Sequence, residues 1–327
     1  MPRGGGGRIA AILMGLGVSF RSLARFLFRR LLQAILVLLA VTVLVFLLIY
    51  LTGDPVRAML PLDASNQDVI NIRHQLGLDQ PLWRQYVIFL QQAAEGNLGD
   101  SFKFHQPAMG LVLQRLPATA ILAVASIILA CAVSFPLGIL AARHRNSIWD
   151  HIATFISMLS VSTPSFWLGI ILILVFAGQL QWLPASGMGG FSHLILPAVT
   201  LSSYSIGLLT RLIRGALLEV LSQPFLATAR AKGLSEAVVM VRHALRNALV
   251  PIVTIVGLQL GALLGGSVIV ETVFAWPGVG WLLIQAISAR DLPLVRADVL
   301  AVALLFVVIN LATDVAYSFI DPRIRVA

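Results

Sequence analysis

Charge is scarce in this sequence, and cysteine is nearly absent. Only 11% of the 327 residues are charged, and Cys131 is the single cysteine. One thiol inside an apolar run excludes a disulfide framework and any cysteine metal motif, and it reads as a small buried apolar residue. No G-x-x-x-x-G-K-[ST] loop occurs, so ATP hydrolysis by that route is excluded; the N-terminal GGGG has no strand–helix context. The six histidines, His74, His105, His144, His151, His193 and His243, lie in loops or at span edges without paired ligand spacing. No nucleophile–base constellation is present, so no catalytic residue, metal ligand or bound cofactor is expected in this chain.

What is abundant is apolar sequence. Hydrophobic residues make up 58% of the chain, and its mean hydropathy is +0.92. The apolar residues are gathered into solid runs of about twenty, the length a helix needs to cross roughly 30 Å of hydrocarbon. A transmembrane barrel would show short alternating segments instead. The expected fold class is therefore all-α, a polytopic membrane protein with spans near 30–51, 118–140, 152–178, 194–213, 248–270 and 298–320.

The few charges are placed asymmetrically. Arg3 to Arg30 precede the first span, Arg143 and Arg145 join the second to the third, and Arg211 to Arg246 join the fourth to the fifth. With Arg323 and Arg325, these connections hold 16 of the 23 basic residues and only four acids. The positive-inside rule then puts both termini in the cytoplasm. Residues 1–27 read as a cytoplasmic tail rather than a signal peptide, since no small-x-small cleavage site is evident and RSLARFLFRR follows. The remaining 28–327 read as one transmembrane domain. Its outer loop, 52–117, shows helical spacing of Val69, Ile72 and Leu76, then of Leu82, Tyr86 and Phe89, which predicts a small ordered cap.

Polar groups inside spans are functional candidates by default. Asn310 and Asp314 share a face of the last span, open to a structural pairing or to a place along a pathway. The third span has a hydroxyl-rich start, with Ser160 and Thr163 before a bend expected at Pro164. These suit a water-accessible gate, or simply backbone satisfaction at a kink. Gly257, Gly261 and Gly265 at four-residue spacing form a groove for close helix approach. Between the fourth and fifth spans, PFLATARAK predicts a short helix beginning at Pro224 and ending at Gly233, with Ser235 capping the next helix. Small residues Ala227, Ala229 and Ala231 make that helix a shape that another protein's groove can close around.

At these residues the chain resembles the inner-membrane permease subunits of ABC importers, in the dipeptide/oligopeptide/nickel branch. The family's E-A-A-x-x-x-G loop falls on Ala227, Thr228 and Ala229, with its glycine at Gly233; the acidic first residue is missing. GDPVR, GNLGDSF, RLPAT, STPSFWLG, HLILPAVTL and the block ETVFAWPGVGWLL extend the likeness beyond roughly the first 25 residues. The resemblance implies the type I importer permease fold and a coupling helix, Ala227, Thr228, Ala229, Arg230, Ala231, Lys232 and Gly233, that docks an ATPase subunit in the 214–247 loop. It also implies a second permease subunit, two ATP-binding subunits that carry ATP and Mg, and an extracytoplasmic solute-binding protein. Placement in a bacterial inner membrane follows. Di- or oligopeptides are the expected cargo, with nickel complexes, glutathione or another small solute as alternatives. A self-sufficient ion-coupled transporter using Asp314 is a different class of reading. The sequence shows neither mid-membrane charge pairs nor broken helices in its favour.

Overall fold

The computed structural model describes residues 20–51, 65–75 and 79–320. The GGGG start, the GDPVR motif, Leu76 and the C-terminal DPRIR lie outside the described residues. Those described fold into helices, with one isolated bridge between Asp100 and Pro107. In chain order these are α1 (Phe20–Leu51), α2 (Asn66–Gln75), α3 (Leu82–Ala94), α4 (Ala108–Arg143) and α5 (Ile148–Ser162). Next come α6 (Ser165–Leu172), prolonged by a π-helical stretch Ile173–Gln179, then α7 (Phe191–Leu221) and the short α8 (Pro224–Ala231). A single turn α9 (Glu236–Val238), a second π-helical stretch Val239–Leu245 and α10 (Arg246–Val273) run on as one rod. The chain ends with α11 (Val279–Ser288) and α12 (Leu292–Ile320).

Five of these helices are long and apolar enough to cross a membrane, and there are six crossings when the bent pair α5–α6 is taken as one. That pair is where the structure departs most from an unbroken third span at 152–178. The axis turns by 102° between Ser162 and Ser165. Thr163 is extended, at φ −83° and ψ 121°, as a residue before proline prefers, and Pro164 has no N–H to continue the ladder. The bend expected at Pro164 is therefore present, and it is sharp enough to break the helix, contrary to the expectation that no broken helix occurs. The other helices outrun their expected bounds. α1 takes in residues 20–27 that read as tail, α12 starts at Leu292 rather than 298, and helix Glu236–Val273 absorbs part of the 214–247 connection.

Three apolar clusters stack along the bundle. At one end Phe46 of α1 and Phe89 of α3 join Val112, Leu282 and Leu294, with Tyr86 packed edge-on against Phe46. Leu82, expected on that same apolar stripe, is exposed. The middle cluster holds Leu122, Leu196, Leu263, Phe274 and Trp276. The far cluster holds Leu209, Ile213, Leu226, Met240 and Ile252. α7 runs through the centre against α4, α5 and α10, whereas α1 lies at the edge on α12 and, more lightly, on α3.

The glycines of α10 divide between two jobs. A Cβ added at Gly257 would run into the Thr313 side chain on α12, and one at Gly261 would meet Phe306 at 3.2 Å and Asn310 at 3.5 Å. Those two form the expected close-approach groove, and it is filled within the chain. Gly265 has no neighbouring atom within 4 Å of such a Cβ and faces open space. Gly257→Val should therefore lower the protein's unfolding free energy by about 1–3 kcal/mol through overpacking, seen as a lower melting temperature in detergent. Gly265→Val should melt close to the wild type.

Candidate functional site: a short exposed helix, a polar cleft and a buried acid network

α8 owes its short length to its ends. Pro224 occupies the first helical position, where the missing N–H costs nothing. At the other end Gly233 turns left-handed at φ +80°. Its N–H reaches Arg230 O at 2.9 Å, and the Leu234 N–H reaches back to Ala229 O at 3.4 Å. This is the paired closure of a Schellman cap, which favours glycine at that position. Ser235 takes the extended N-cap conformation for the next helix, but its side chain makes no capping hydrogen bond.

The short helix is clamped from beneath. Leu226 is fully buried and Ala229 is 8% exposed, both packed in the cluster of Val239, Met240 and Ala244. Ala229 thus faces its own bundle, in contrast to the open face expected of it. Ala227, Thr228, Arg230, Ala231, Lys232 and Gly233 are exposed, and so is Phe225. Arg230 Nε donates to Glu236 Oε1 at 2.7 Å across the glycine turn. That carboxylate raises the pKa of the Arg230 guanidinium above its ordinary value. At the same end Arg214 of α7 grips Asp150 at the start of α5 through Nε and a terminal nitrogen, at 2.6 and 2.8 Å. Asp150 also accepts the Asn146 N–H at 2.9 Å, so the α4–α5 connection is tied to α7.

Where the α5–α6 break meets α7 and α10, a cleft of about 340 Å³ opens. Thr163, Pro164 and Ser165 line one wall, Thr200, Ser203, Tyr204 and Ser205 the second, and Gln259 the third. Gln259 Nε2 donates to Ser205 Oγ at 3.0 Å, bridging α10 to α7. Thr163 and Thr200 donate to the carbonyls of Leu159 and Leu196 four residues back, which leaves hydroxyl oxygens free to accept. The structure thus groups the expected gate residues Thr163 and Pro164 with a hydroxyl run, SSYS, that the sequence reading passed over.

Ser160 is not part of this wall; it packs where α5 crosses Gly207 of α7. Asn310 and Asp314 are elsewhere too. They line a separate cavity of about 330 Å³ between α1, α10 and α12, on another face of α10. There Asp314 pairs with Arg30 of α1 at 3.1 Å, the structural pairing that was one of two options. Among the described residues no group of three or more His, Cys, Asp and Glu could hold a metal ion.

The acids that matter most to the frame were not singled out by sequence. Glu271, fully buried at the end of α10, accepts from Thr119 Oγ1 at 2.7 Å and from the Trp281 N–H at 3.0 Å. Thr119 Oγ1 in turn accepts the Val279 N–H at 2.9 Å, and the Trp276 indole N–H donates to Ala118 O at 2.9 Å. RLPAT and ETVFAWPGVG, 152 residues apart, are therefore two halves of one hydrogen-bonded joint. Asp291 plays a similar part at the start of α12. It accepts from Ser101 Oγ and from the backbone N–H groups of Lys103 and Leu294, which links GNLGDSF to RDLP.

These elements define a helical membrane protein with five apolar spans, or six with the bent pair, among the described residues. Residues 134–326 match the family of binding-protein-dependent transport system inner membrane components. Residues 23–123 match the N-terminal portion described for such membrane components. The chain belongs to this family. Among its relatives, the glutathione transport system permease protein GsiC of Escherichia coli O6:H1 is 42% identical over 92% of this chain and 98% of its own. The dipeptide transport system permease protein DppB of Alkalihalophilus pseudofirmus is 38% identical over 91% of this chain and 98% of its own. A chain of the inward-facing MetNI methionine ABC transporter superposes with a TM-score of 0.55 at 20% identity, covering 66% of this chain and 98% of that one, a likeness of fold.

Thr119→Val should test the joint. It strips Glu271 and the Val279 N–H of a partner at once, and a hydrogen bond to a charged group is worth about 1.5–3 kcal/mol. A thermal melt of the purified protein should show a loss of that order, and an unchanged melting temperature would contradict the network's structural role.

Proposed function

We propose that the chain forms half of the translocation pathway of an ATP-driven importer for di- or oligopeptides and related small peptide-like solutes, glutathione among them. The observation that carries this reading is α8, a short helix held between two spans by Leu226 and Ala229, with a continuous exposed face that carries Thr228, Arg230 and Lys232. On this reading α8 is the coupling helix, and its exposed Thr228, Arg230, Ala231 and Lys232 seat in a groove of an ATP-binding subunit. Both chain termini then lie on the same, cytoplasmic, side. ATP and Mg act on those partner subunits, while a second permease chain completes the pathway and an extracytoplasmic binding protein brings the solute. The substrate class rests on the glutathione and dipeptide permeases among the relatives.

The packing supplies a route for the stroke. A displacement of α8 bears on Val239, Met240 and Ala244 through Leu226 and Ala229, and those residues belong to the rod that continues into α10. Further along that rod Gln259 borders the hydroxyl-lined cleft. Nucleotide binding can drive such a switch only if it favours one arrangement of this rod over the other. The cleft offers what a peptide backbone needs, hydroxyl and amide groups that donate and accept in a setting without strong charge.

Thr228→Glu puts a charge on the exposed face without disturbing the core, and Gly233→Pro forbids the positive φ that closes the helix. Both should insert normally, lose co-purification with the ATP-binding subunits, and reduce peptide uptake by roughly tenfold or more, the scale of 1.4 kcal/mol or above. Wild-type uptake by Thr228→Glu would remove the coupling assignment. Asp314→Asn should transport within a few fold of the wild type, because Asp314 is paired at the α1 edge. Complete loss of uptake with normal assembly would make it a pathway residue instead.

A further inference from the structure

Asp298 of α12 is fully buried, and neither of its carboxylate oxygens has a hydrogen-bond partner among the described residues. Buried Glu271 and Asp291 are each held by two or more donors. Asp298 instead lines a half-open cavity of about 500 Å³ bordered by α1, α10, α11 and α12. Val41, Leu283, Val302 and Phe306 make its walls apolar. Gly265 also lines it, and the side chain that Gly265 lacks is what leaves the space open. An ionised carboxylate without a partner in such surroundings is strongly disfavoured, and a donor that reaches it removes that cost. A cavity of this size, apolar throughout with one converging polar group, has the make-up of a small-molecule site.

We propose that this cavity binds an amphiphilic amine, its ammonium on Asp298 and a compact hydrocarbon body against Val302, Leu283 and Phe306. Anions are disfavoured twice, by Asp298 itself and by Glu271, whose Oε2 lies beside Gly280 on the same wall. A bare metal ion would find one carboxylate and apolar side chains, too few oxygens for its coordination shell. The depth selects among amines. Asp298 stands six residues along α12 from Leu292, roughly 9 Å at 1.5 Å per residue. A zwitterionic phospholipid would have to carry its phosphate down with its amine, so a phosphate-free amine is the better fit. The site is a separate cavity from the hydroxyl-lined cleft, although Ala262 borders both, and it does not depend on the transport reading.

The test uses the assembled transporter in phosphatidylcholine nanodiscs, with equilibrium binding of 1-aminoadamantane and its neutral isostere 1-adamantanol. The wild type should bind the amine saturably. Binding should be roughly tenfold weaker for the alcohol and for Asp298→Asn, which both remove the charge-assisted contact. Gly265→Leu should abolish amine binding by filling the space while keeping the acid. Thermal melts establish that each variant is folded, and the near-isosteric Asp298→Asn decides the matter if Gly265→Leu is not. Equal binding by wild type and Asp298→Asn, or no saturable binding by the wild type, overturns the proposal. In nanodiscs containing phosphatidylethanolamine, unchanged amine binding supports a phosphate-free occupant. Displacement by that lipid, with its retention by the wild type but not by Asp298→Asn, overturns that choice of occupant.

Discussion

The joint around Glu271 is the interaction on which the architecture turns. α10 ends there, the chain reverses through Ala275 with a left-handed φ of 45°, and α11 begins within six residues. Irregular backbone at the end of a span strands N–H and C=O groups where water is scarce, and each one left unpaired is costly. Glu271 removes that cost by accepting from one residue of the turn's far side, while Thr119 accepts from another. Both acceptors are fixed on helices, so α4, α10 and α11 are locked into one block. Asp291 extends the block to α12 and to the segment before α4. This end of the molecule is thereby made rigid.

The opposite end is arranged differently. Its elements are joined by the apolar cluster around Leu226 and Met240 and by local polar features, the Gly233 turn, the Arg230–Glu236 pair and the Asp150–Arg214 pair, with no buried network linking several helices at once among the described residues. The rod that leaves it carries a π-helical stretch, Val239–Leu245, after its first turn, a geometry often found where helices serve a function. Between that end and the locked one lies the hydroxyl-lined cleft, bordered by the 102° break of α5–α6. On the importer reading, some helices must keep their register while others tilt, and this division serves both.

Composition made the span count legible because hydrocarbon admits few alternatives to a twenty-residue apolar helix. The short helix was legible for local reasons, Pro224 at its start and Gly233 past its end. Orientation was not. Ala229 lies in the middle of a small-residue run, and only the packing of Val239 and Met240 shows that it faces inward. The three glycines of α10 look identical in sequence, yet two meet α12 and the third meets a void. Glu271 and Thr119 could not be paired from sequence, since nothing local says that residues 152 positions apart share a proton. Asp298 and the SSYS run were present but unremarkable until the fold gave each a cavity.

The position of α1 has a consequence for how the molecule is made. It is the first described span to leave the ribosome, and its principal neighbour, α12, is the last. Arg30 on α1 and Asp314 on α12 share one ion pair. At about 5–20 residues per second of synthesis, α1 waits in the bilayer for tens of seconds, its arginine without that acid. The edge of the molecule is thus sealed last, from its two extremes, and a chain truncated before α12 would leave α1 with α3 as its main partner.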